Sequence, residues 1–267
     1  MKKIILLFTF FSLTISFGQN NKKKAQDAIL EEYYTKGALT YNYNYQMAEW
    51  QKCLDEGIAK DITIARLWQE KAMPFFKARK YEIGMPFVDK AVLLEPKEYL
   101  PYRGFLKCIF SKNYREAIAD FEESIKLNGN SYEMDHTYNF YIGLYYLQLN
   151  EYSKAEKLFK DYIDEMIKKR QGLENPTAYF YYGISLYEQK NWQNAINVFD
   201  KAIKQYVNFS EAKYYKAICL ARLGKQEEVK KVFEEAQEDY KKGYKLGEYN
   251  TIYEMYPYQI APYQLHL

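Results

Sequence analysis

Across residues 176–206 apolar side chains return every three or four positions, stop at Gln189-Lys190-Asn191, and then return again. The spacing predicts two short amphipathic helices folded against each other, because an apolar stripe of helical period has to be covered. Gly183 is followed twelve residues on by Ala195, then by Phe199 and Ala202, so small and large residues alternate where the two helices touch. The next stretch repeats this set as Ala217, Val229, Phe233 and Ala236, each displaced by 34. A fixed period of this size marks stacked repeats, none of which buries its apolar face alone.

The rest of the chain reads in the same way. Residues 29–59 carry Leu30, Tyr33, Tyr34, Trp50, Leu54 and Ile58 at helical spacing, but the second helix fits the repeat poorly, so 19–64 reads as a polar lead-in and a degenerate capping pair. A pair over 65–94 follows, with Pro74 expected to bend or shorten its first helix. The next covers 98–127, where Asn113 and Glu116 suggest a capping box. A pair over 131–168 precedes a loop about six residues longer than the period allows, and the last pair covers 210–242 with Gly224 at its turn. Repeats thus occupy 65–243. Beyond them, residues 244–267 hold six tyrosines with Pro257 and Pro262: too broken for a long helix and too apolar for water. This tail is expected to pack on the last helix pair or on the repeats' inner face.

The residues Trp68, Ala72, Tyr81, Gly84, Ala91 and Pro96; Tyr114, Ala117 and Phe121; Gly143, Tyr152, Ala155 and Phe159; Gly183, Trp192, Ala195, Phe199 and Ala202; and Ala217, Val229, Phe233 and Ala236 together resemble the tetratricopeptide repeat. The resemblance covers about 65–243. It implies an all-α, right-handed superhelical solenoid of antiparallel helix pairs, whose concave face is lined by the first helix of each pair and binds an extended peptide. Projecting each first helix at offsets of minus three, plus one and plus four from a central residue gives an apolar, aromatic groove: Gln69, Met73, Phe76, Tyr102, Leu106, Phe140, Leu144, Phe180, Ile184, Tyr187, Tyr214 and Ile218. None of these is Lys, Arg or Asn, so the charged groove known in the family, which holds a terminal carboxylate, is not matched.

Composition adds a leader and removes most chemistry. Lys2 and Lys3, an apolar run over 4–15 and Ser16-Phe17-Gly18 read as a signal peptide over 1–18, too short to span a bilayer, so the product is expected to be exported to the periplasm or beyond. Losing the two lysines lowers the formal charge from +3 to +1, which leaves no field to attract nucleic acid. Cys53, Cys108 and Cys219 are odd in number and unrelated in spacing, and the last two sit in apolar helical text as small hydrophobes. With only His136 and His266, no Gly-rich phosphate loop and acidic pairs confined to polar helical faces, the chain is expected to have no catalytic residue, metal or cofactor. The expected function is a non-enzymatic envelope scaffold holding a partner's peptide segment. Two alternatives stand beside it: a carbohydrate-binding module, for which the face offers only Gln69 as a polar group, and a structural subunit that meets its partner through the tail. If the groove is open, replacing Phe180 and Tyr214 by alanine weakens partner binding and barely changes thermal stability; if the tail fills it, the same rings are core.

Overall fold

The computed structural model describes residues 20–169 and 175–266. The expected leader and most of the long loop after Lys169 lie outside the described residues. The chain forms two compact units, one ending at Tyr99 and one starting at Leu100.

In the first unit, helix α1 (20–30) runs into a π turn at Glu31–Thr35, and a 3-10 turn at Ala38–Thr40 leads to α2 (Met47–Lys60), α3 (Ala65–Lys77) and α4 (Tyr81–Leu94). Trp50, Leu54, Ile64 and Leu67 form its core with Ala38, and the rings of Tyr34 and Tyr43 stand edge-on to Trp50 at 6.3 and 5.4 Å. Pro74 does not shorten α3. A proline deprives the carbonyl four residues before it of its donor, and here that carbonyl, Glu70 O, accepts the Trp50 indole N–H at 3.4 Å. A neighbouring side chain thus supplies the missing bond and the helix continues to Lys77.

The second unit is built from α5 (Pro96–Ile109, from Leu100 on) and α6 (Tyr114–Asn128), α7 (Tyr138–Gln148) and α8 (Tyr152–Lys169), α9 (Pro176–Glu188) and α10 (Trp192–Gln205), and α11 (Ser210–Arg222) and α12 (Gln226–Lys241). The architecture is all-α, an antiparallel helix pair repeated in series. It has one addition that helical periodicity could not show, a hairpin of β1 (Tyr132–Glu133) and β2 (His136–Thr137) paired antiparallel with Glu133 opposite His136. Met134, at φ 49°, turns the chain between the two strands.

Small residues and rings meet as the period requires. A methyl group added at Gly104, Gly143 or Gly183 would lie 2.8, 2.9 or 2.5 Å from the ring of Phe121, Phe159 or Phe199. All three rings are fully buried, so none can swing aside. Gly183→Ala should therefore destabilise the protein by about 1–3 kcal/mol, although the same change in an open helix gains about 1 kcal/mol. Chemical denaturation reads the sign directly.

Polar contacts lock the pairs. Asp120 accepts from Arg103 at 2.9 and 2.6 Å and pairs with Lys107 at 2.9 Å, while Lys213 reaches Asp239 at 2.5 Å. Asn113 is the N-cap of α6, but its side chain makes no capping bond; Glu116 is instead held below the usual carboxylate range by Asn113 first and Lys107 second. A side-chain cap does form at Asn175 on α9, whose Oδ1 accepts from the N–H of Ala178 at 3.2 Å.

Candidate functional site

The tail follows Gly243, whose φ of 87° ends α12 in a conformation that glycine adopts without strain. It then crosses the side of the second unit lined by the first helices. Ser210 Oγ donates to the carbonyl of Tyr244 at 2.6 Å, and Leu246 is buried. Glu248 reaches the hairpin, where both its carboxylate oxygens lie 3.0 and 3.1 Å from His136 Nε2. A carboxylate only accepts, so Nε2 carries the hydrogen between them. His136 Nδ1 sits 3.3 Å from the Tyr162 hydroxyl, and its ring stacks on Phe140 at 3.7 Å. Both members of this pair are more than nine-tenths buried.

Beyond a 3-10 turn at Tyr249–Ile252, Lys112 Nζ donates to the carbonyl of Met255 at 2.7 Å. The tail then turns back. Tyr256 and Pro257 are buried, and the Tyr181 hydroxyl donates to the carbonyl of Pro257 at 3.0 Å. Tyr258 lies at φ 59°, donates its hydroxyl to Glu188 at 2.8 Å and meets Tyr215 edge-on at 5.9 Å. Ile260 and Leu265 are buried, and Gln237 donates to the carbonyl of Leu265 at 2.7 Å.

Tyr141, Tyr181 and Tyr215 stand two positions before the central small residues Gly143, Gly183 and Ala217, and the last two of these tyrosines touch the tail directly. Burial pushes the hydroxyls of Tyr141 and Tyr181 well above the ordinary tyrosine value, and the nearby Tyr256 and Glu248 push both further. Tyr102, two before Gly104, stands at the same offset and is half-buried.

The positions projected from the sequence fall elsewhere. Phe76, Leu106, Phe140, Leu144, Phe180 and Ile184 are at most 2 % exposed. Phe180 touches Phe199, Phe209 and Tyr215, so its ring packs between successive pairs. Gln69 is buried, and Met73 packs against the core around Trp50. Tyr187, Tyr214 and Ile218 keep partial exposure, as does Tyr102. A projection in which Phe140, Leu144, Phe180 and Ile184 offer side chains to a partner is thus corrected: all four are buried, and Phe140 and Phe180 pack against rings of the next pair. The residues missed are Tyr141, Tyr181, Tyr215, His136 and Glu188. The tyrosine recurring two before each small residue was the available signal for three of them.

Glu211 anchors the start of the tail. It is fully buried, Ser210 Oγ lies 3.0 Å from its Oε2, and its Oε1 has no partner. Burial pushes its carboxyl above the usual range, while backbone N–H groups, including that of Leu246, pull it down. A raised carboxyl favours folding below the unfolded value, and that contribution is lost as pH rises through the folded one. Glu211→Gln should therefore raise Tm at neutral pH by a few degrees, the effect of about 1 kcal/mol in a domain of this size. The gap should narrow as the pH falls toward the ordinary glutamate range, because the buried carboxyl takes up its proton before an exposed one does.

In the first unit, a cavity of about 430 Å³ is lined by Lys22, Lys23, Gln26, Asp27, Arg66, Glu95 and Tyr99, with charges of both signs. Burial pushes the Tyr99 hydroxyl up to about 12. Among the described residues no group of three His, Cys, Asp or Glu side chains is placed to hold a metal. Cys108 and Cys219 are buried free thiols, and burial lifts Cys219 to about 12, far from a reactive thiolate. No described helix is long and apolar enough to cross a membrane.

Residues 111–170 and 176–208 match family models of the tetratricopeptide repeat. No curated protein matches the chain. Among solved structures, the chain is similar to PilW, described as a widely conserved type IV pilus biogenesis factor, with 14% identity over 81% of this chain and 94% of that one at a TM-score of 0.62. It is also similar to PilF of Pseudomonas aeruginosa, with 13% identity over 82% and 98% at 0.59. YrrB, described as a TPR protein with an unusual peptide-binding site, is 17% identical over 70% and 91% at 0.51. At these identities the likeness is one of fold.

Proposed function

We propose that this chain is a non-enzymatic scaffold that holds a peptide segment of a partner protein on the first-helix face of its second unit, and that it works in the cell envelope. One observation carries the reading: that face already holds a largely irregular segment, residues 244–266, by side-chain bonds to its main chain and by burial of Leu246, Tyr256, Ile260 and Leu265. Bonds to backbone carbonyls bind any extended chain, and pockets for a few side chains select among chains. Tyr187, Tyr214 and Ile218, on the first helices of the last two pairs, keep part of their surface exposed. The envelope assignment rests on the charged and apolar pattern of residues 1–18 and accords with pilus biogenesis, the role described for PilW.

A second reading has its own support. Tyr249, Ile252 and Tyr263 are 77–80 % exposed on the outside of the tail, and apolar groups so placed mark a contact surface. In that reading the tail is itself the partner's docking point in a structural subunit. A photo-crosslinking residue placed at Tyr187 or at Tyr249 in the native envelope separates the two. Protein adducts from position 187 support the groove, adducts from 249 alone support the tail, and protein adducts from neither overturn both.

A further inference from the structure

The tail is joined to the fold in a way that permits departure. Its only regular structure is two 3-10 turns, Tyr249–Ile252 and Pro262–Leu265. The chain leading into it, residues 241–244, is exposed. Of its large apolar groups, Leu246, Tyr256, Ile260 and Leu265 are buried, while Tyr249, Ile252, Met255 and Tyr263 face solvent. A segment that buries only part of its apolar surface and owns little hydrogen-bonded structure belongs to the low-stability end of a protein.

Its contacts also spell out a recognition pattern. Glu248 enters the His136 pocket, and eight residues later Tyr256-Pro257-Tyr258 meets Tyr181, Glu188 and Tyr215. Each element is read separately: an acid by the imidazole N–H, a carbonyl held rigid by proline, and a phenol by a carboxylate. We propose that residues 244–266 are a resident, exchangeable occupant of the docking face, and that the partner segment is chemically their equivalent: an acidic side chain followed eight residues on by an aromatic-proline-aromatic run. The inference rests on the scaffold reading above and names the chemistry of its ligand.

Tethering makes the resident hard to displace. A segment on a short linker has an effective concentration in the millimolar range, so the same sequence offered as a free peptide competes poorly until the tether is cut.

The test keeps the whole chain. A protease site is inserted between Lys242 and Gly243, the folded protein is cleaved, and a fluorescent peptide of residues 244–266 is added. The cleaved protein should exchange its tail for the labelled peptide and bind it on the order of a hundredfold more tightly than the uncleaved protein does. Competitor peptides carrying Glu248→Ala or Tyr258→Phe should each be weaker by about tenfold or more, as loss of a bond to a charged partner predicts. A peptide of the same composition in scrambled order should not compete. Failure of the labelled peptide to bind, a severed tail that never leaves, equal competition by the scrambled peptide, or loss of helical circular dichroism once the tail departs would each overturn the proposal. Adducts from position 187 obtained alongside such a failure leave the scaffold reading standing.

Discussion

Phe180→Ala lowers the stability of the protein by about 3–5 kcal/mol, the cost of removing a fully buried aromatic ring whose surroundings cannot collapse. In a domain of this size the midpoint of thermal unfolding falls by roughly 10 °C or more. The ring is sealed among Phe199, Phe209 and Tyr215 on two successive pairs, so the cavity opens where the pairs join. Tyr214→Ala is expected to cost only about 1 kcal/mol, since its partly exposed ring loses an edge contact with Tyr215 and a tilted one with Phe233. The two substitutions, equivalent on a simple helix projection, thus separate in a melting experiment. Equal and small shifts for both would place Phe180 on an open surface and contradict the packing described.

Glu248→Ala leaves His136 buried with its Nε2 hydrogen unpaired, and removing one member of a buried pair costs about 3–5 kcal/mol. Because the two residues join the hairpin to the tail, the loss appears as local release: amide exchange across residues 244–258 accelerates more than exchange in α9 or α10. Replacing both residues together, His136→Phe with Glu248→Leu, leaves no orphaned polar group and should cost less than the sum of the single changes. Additive costs would show that the pair does not act as one contact. The charge of Glu248 reaches beyond His136, since burial first and this carboxylate second push the Asp135 carboxyl upward.

The helix pairs were legible because each side of the repeat is written locally. A glycine sixteen or seventeen residues before a phenylalanine announces that a ring lies on a bare stretch of helix, and Gly104, Gly143 and Gly183 obey it. The candidate site was legible only in kind. At 3.6 residues per turn, positions minus three, plus one and plus four lie about a sixth of a turn round from the small residue, whereas minus two, plus two and plus five lie nearly opposite it. Phe140 and Phe180 of the first stripe meet rings of the next pair, whereas Tyr181, Glu188 and Tyr215 of the second meet the tail. Aromatic rings recur in both stripes, so periodicity alone could not tell the seam between repeats from the face beyond it.

Pro74 shows the same limit from the other side. Its effect on α3 depended on whether some donor would find the carbonyl of Glu70, and Trp50 does so from twenty residues away. The hairpin at Tyr132–Thr137 is too short for any alternation to register, yet it carries the histidine that grips the tail.

What the sequence determined by itself was the serial stack of helix pairs and the surplus of tyrosine, because pairs form between neighbours and their signals are local. What only the tertiary structure decided was which tyrosines face inward and that residues 244–266 lie on them. Those contacts join positions such as 136 and 248, or 181 and 257, whose meeting depends on where the intervening helices put them.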